Sequence, residues 1–132
     1  MVKEIRTRDA SEKQGAIAWE KAVEFLDSAE SELSHARWNS AGLNAIHSGI
    51  CAADAVLIHT AGVRSASQNH TLVTDLLARS VPEFKGTPRT QLLGLLKMKN
   101  VVAYEQRLLT EAEGKRLVTA AKRFYFWAKT LC

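Results

Sequence analysis

The sequence predicts an all-α fold, an antiparallel up-and-down bundle of four long helices plus one short helix. Three observations predict it. Apolar residues recur at spacings of three and four almost throughout, and no alternating run of strand type appears. Both prolines, Pro82 and Pro88, fall in one short segment, so the stretches on either side are free of helix breakers. With 132 residues, 46% hydrophobic and 24% charged, the chain can bury one core unaided, which predicts a single domain over residues 1–132.

Residues 1–10, MVKEIRTRDA, are polar and read as a flexible N-terminal segment. The first long helix is expected from Ser11, where Ser11 and Gln14 have capping-box spacing, to about Arg37, with Trp19, Val23, Leu26 and Leu33 facing inward. The second is expected from Asn39, whose side chain can cap free amides. Trp38 and Leu43 would staple its first turn, and Gly62 suits a left-handed stop. A short helix follows, about Asn69 to Val81. The segment VPEFKGTPR then breaks the chain. Thr87 and Pro88 read as the start of the fourth helix, which carries Leu92, Leu93, Leu95, Leu96, Val101 and Val102 to about Leu108. Thr110 and Glu113 form the clearest capping box and open the last helix, with Leu117, Ala121, Phe124, Ala128 and Leu131 as its inward stripe.

Charge is distributed unevenly. From Lys97 onward the chain has eight basic and three acidic residues, whereas the preceding part is close to neutral. Such asymmetry permits a phosphate-bearing partner. On the last helix Lys115, Lys122 and Lys129 repeat every seven residues beside Arg116 and Arg123. This stripe is either a solvated bundle face or a phosphate-tracking surface, helped by Tyr125, Phe126 and Trp127, which could stack on bases or seal a dimer. The polar N-terminal run and the lack of a sufficiently long apolar stretch predict no membrane span and a cytoplasmic protein. Cys51 and Cys132 make no disulfide framework and are expected as free thiols.

Small residues are dense in NAIHSGICAADAVLIH, so helices meeting there can approach closely. His47 and Asp54 lie seven apart in it, on nearly the same helix face. Either Asp54 bonds a neighbouring helix and His47 is an ordinary satisfied histidine, or the two share a polar site in the bundle or at a dimer seam. A carboxylate there needs a partner or an opening to water. His35, His47, His59 and His70 show no metal-ligand spacing, so neither a metal nor another cofactor is expected. No nucleophile motif or glycine-rich phosphate loop is present. His70, near a helix start, is either a surface residue or an anion contact.

The stretches AIHSGICAADAVLIHTAGVRS (Ala45 to Ser65), Asn69–His70 with its following aliphatic helix, and LLKMKNVVAY (Leu95 to Tyr104) resemble HEPN domains, helical bundles of prokaryotic toxins, RNases and nucleotide-associated proteins. The likeness is to small stand-alone actinobacterial-type members and covers the chain from about residue 38. Active HEPN RNases have an Arg, a polar residue after it, and a His about five positions on. Here Lys99, Asn100 and Tyr104 stand at those places. Lysine attracts a phosphate as a point charge but lacks the planar bidentate grip of arginine. Tyrosine, with a reference pKa of about 10, is a poor base at neutral pH.

The resemblance therefore implies a homodimer that binds RNA or a nucleotide phosphate at Lys99, Asn100 and Tyr104, with His47, Asp54 and His70 as further candidates, and that is noncatalytic or weakly catalytic. The alternatives are a metal-independent endoribonuclease of toxin type, using Lys99, Asn100, Tyr104 and His47, and a structural or regulatory protein-interaction module.

Overall fold

In the computed structural model, which describes residues 6–66 and 71–132, Ser11 caps α1 (Glu12–Ser34). Its hydroxyl accepts the Gln14 N–H at 3.2 Å, while the Gln14 side chain accepts the Ser11 N–H at 2.8 Å. The helix ends earlier than Arg37. Ala36 takes a left-handed φ of 58°, and the Arg37 N–H turns back to the Glu32 carbonyl at 3.0 Å. Left-handed stops usually use glycine, and an alanine gives no such warning in the sequence.

Three residues separate α1 from α2 (Trp38–Ala61), so the two run antiparallel. Asn39 does not cap α2, which already begins at Trp38. Its side-chain oxygen instead accepts the Leu109 N–H at 2.7 Å, tying the start of α2 to a distant loop. The stop at Gly62 is as expected, with φ 66°.

Helix α2 touches α1, α3, α4, α5 and α6 and forms the centre of a helical bundle. Its small residues permit this. The Ser48 hydroxyl donates to the Ala22 carbonyl of α1 at 2.8 Å, a distance only a small side chain allows. A β-carbon on Gly49 would stand 2.6 Å from Leu95, and one on Gly42 would stand 2.6 Å from Leu109. Such contacts are closer than van der Waals packing tolerates. Among the described helices α2 alone is long and apolar enough to cross a membrane, but 72% of its most apolar stretch is buried in the bundle. That burial identifies it as a core helix.

Two three-residue strands, β1 (Thr7–Asp9) and β2 (Val63–Ser65), pair antiparallel with Thr7 opposite Ser65. The expected flexible segment is thus paired from Thr7 to Asp9, in a ribbon too short to show alternation. After it come α3 (Thr71–Ser80) and a 3-10 turn (Pro82–Phe84) that buries Phe84 completely. The start of the third helix expected at Asn69 lies outside the described residues.

The fourth long helix is divided. α4 (Thr87–Lys97) starts at Thr87 with Pro88 in its first turn, as expected, but Met98 interrupts, and α5 (Lys99–Tyr104) is a short separate piece instead of a continuation to Leu108. Val101 and Val102 consequently pack beside the cluster of Ile46, Leu95, Leu109 and Leu117. Thr110 and Glu113 form the expected capping box of α6 (Glu111–Lys129). A second cluster joins Val56, Leu57, Leu77, Leu92 and Phe124. Of the expected α6 stripe, Leu117, Ala121, Phe124 and Ala128 are buried and Leu131 is half-buried.

Candidate functional site

Two polar regions flank the centre of the bundle. The first is a stripe on α2, where His47, Cys51 and Asp54 follow one another at spacings of four and three on one face. All three are half-buried. The His47 ring lies 5.7 Å from that of Phe25 on α1. Burial first, and then the nearby charge of Lys99, hold its imidazole below the ordinary histidine range. Burial raises the Asp54 carboxyl to about 6, against a smaller opposing pull from Arg64. Among the described residues Asp54 accepts no hydrogen bond and forms no salt bridge, so burial dominates. The Cys51 thiol rises to about 11 through burial and the Asp54 charge, which leaves it unreactive as a nucleophile at neutral pH.

Lys99 therefore belongs with His47, across the junction of α2 and α5. Tyr104 does not join them so directly. It lies five positions after Lys99, and an α-helix turns the two about 140° apart. Tyr104 is 74% exposed, and its hydroxyl has no hydrogen-bond partner among the described residues. Asn100 is exposed and lies nearer the Tyr104 side of α5 than Lys99 does. His70 falls outside the described residues. Among those described, no three His, Cys, Asp or Glu side chains are grouped to hold a metal.

The second region is a groove of about 560 Å³ between α4 and α6. Its walls include Lys97 from α4 and Lys115, Arg116 and Arg123 from α6, beside an apolar surface of Met98, Leu117 and Ala120, with Gly94 exposed on the α4 side. The charges are unequally occupied. Lys115 pairs with Glu111 at 3.5 Å, and Lys122 beyond the groove pairs with Glu30 at 3.3 Å. Among the described residues Lys97, Arg116 and Arg123 have no carboxylate partner. The lone lining carboxylate, Glu113, is held by both Arg107 guanidinium nitrogens at 2.9 Å. That grip, with the Thr110 N–H, pulls its carboxyl down to about 2.

The periodicity of α6 exposes Arg116 and Arg123 as one row but gives no hint that Lys97 stands opposite. That depends on how α4 packs. The aromatics are placed differently from a base-stacking platform. Tyr125 stacks on Trp19 with ring centroids 4.9 Å apart, and Trp127 packs between Phe84 and Phe124. Only Phe126 of the three is largely exposed.

No family model and no curated protein matches the chain.

Proposed function

We propose that this chain is a HEPN-like, homodimeric bundle that binds RNA or a nucleotide through phosphate groups, with no strong catalytic activity of its own. The observation that supports it most is the trio Lys97, Arg116 and Arg123, which edge one groove without carboxylate partners among the described residues. Unneutralised cations around a concavity attract phosphates, and release of the counterions of a bound strand adds to affinity. Lys99 adds charge on the neighbouring short helix, beside His47.

Gel-shift titrations of a single-stranded RNA at low and physiological salt test this. Arg116→Ala combined with Arg123→Ala is expected to weaken binding and to reduce the salt slope by about two. Lack of binding by the folded wild-type protein at both salt concentrations would remove the proposal.

A metal-independent endoribonuclease is the second reading, favoured by His47. An imidazole kept neutral is in the proton-accepting form a base requires. Cleavage of the same RNA in EDTA, lost in His47→Ala, supports that reading, and intact RNA after prolonged incubation counts against it.

A further inference from the structure

Building on the phosphate-binding reading, we propose that the α4–α6 groove selects single-stranded RNA. One nucleobase lies on the apolar surface of the groove, and its two flanking phosphates lie on the cationic edge.

A purely electrostatic surface needs no apolar centre, but this groove has one. Gly94 leaves open space where a side chain would project, with no atom beyond its own stretch of helix within 4 Å of a β-carbon built there. Leu117 is 5% exposed and lies below, while Met98 and Ala120 are half-buried beside it. The volume of about 560 Å³ falls within the range of roughly 300–1,000 Å³ typical of small-ligand clefts. A duplex keeps its bases stacked inside and would offer this groove only phosphates, leaving the apolar surface uncovered. A single strand can turn a base inward.

The edge has matching spacing. Arg116 and Arg123 are seven residues apart on one face of α6, about 10 Å along the axis, so they suit two phosphates flanking a nucleoside better than one phosphate between them. Lys97 approaches from α4, and guanidinium planes can also stack on a base. Gln91 and Thr119 supply side-chain donors and acceptors for base edges. An acidic peptide fits less well. Both walls are helices, whose internal backbone groups are already bonded and cannot pair with an extended chain.

The test is fluorescence anisotropy at physiological salt, with a labelled single-stranded oligoribonucleotide, a duplex of equal length, inorganic polyphosphate of matched charge, and polyglutamate. The single strand is expected to bind about tenfold more tightly than the other three, the gain from covering the apolar surface of Met98, Leu117 and Ala120 with one base. Gly94→Leu projects an apolar side chain into the groove from its α4 side without altering charge and replaces a mid-helix glycine with a stronger helix former. It is expected to abolish the single-strand advantage by lowering single-strand affinity more than polyphosphate affinity.

Equal affinity of the wild-type protein for single strand, duplex and polyphosphate overturns the inference while leaving phosphate binding intact, and it does so whether or not the variant folds. Preference for polyglutamate, or a Gly94→Leu effect equal across all four probes, also overturns it. Binding to none of them removes the phosphate-binding function as well.

Discussion

The α2 stripe and the α4–α6 groove are both polar, yet they handle charge in opposite ways. On α2, burial opposes charge, raising the carboxyl of Asp54 and lowering the imidazole of His47, so both side chains are pushed toward neutrality. In the groove, Lys97, Arg116 and Arg123 remain without carboxylate partners among the described residues, while Glu113 is held by Arg107. Perturbed titration marks the first region and available charge the second. The lesson is that the groups with the most altered chemistry are not the groups best placed to hold a polyanion.

The largest expected break in that contrast comes from Asp54→Asn. Because the folded carboxyl has its pKa raised to about 6, the folded state holds a proton more strongly than the unfolded chain, and stability is lost as pH rises from about 4 through 6. The amide has no charge to bury. It should be more stable than wild type by about 2 kcal/mol near pH 8, allowing for partial solvation, and the difference should fade toward pH 4. Urea unfolding at several pH values measures this, and parity near pH 8 would mean the carboxylate is better solvated than its position implies. His47 acts in the other direction. Its lowered pKa gives stability above about pH 6.5 that is lost on acidification, so the wild-type profile carries two opposing slopes.

Arg107→Ala tests the groove. Freed from its guanidinium partner, Glu113 would place an unpaired negative charge in the wall, and RNA affinity at low salt should fall about twofold to threefold. An unchanged affinity would show that the ligand does not pass Glu113. The smallest effect expected is that of Lys99→Met, which should raise the His47 pKa by less than burial lowers it. Imidazole NMR titration reads it directly. No movement would separate Lys99 from the stripe.

Helix starts were legible where a side chain marks them. Ser11 with Gln14 and Thr110 with Glu113 form the capping boxes their spacing implies, and Gly62 takes the left-handed turn. Less legible were features whose cause lies elsewhere in the fold. Asn39 has the chemistry of a cap, but the loop before α6 takes its oxygen. The division at Met98 has no glycine or proline to announce it, and an alanine makes the turn after α1. The candidate site was legible only in part. The spacing of His47 and Asp54 locates one helix face, but the approach of Lys99 to it depends on where α5 packs. The groove was half visible, as a basic row on α6 whose opposite wall comes from a separate helix.

The Asn39–Leu109 hydrogen bond joins positions 70 residues apart. The hairpin of α1 and α2 closes through three residues and can assemble rapidly by itself, whereas this latch must wait for α4, α5 and the following loop to return to the start of α2. Asn39→Ala should therefore leave the folding rate nearly unchanged and quicken unfolding, the kinetic signature of a contact made after the rate-limiting barrier.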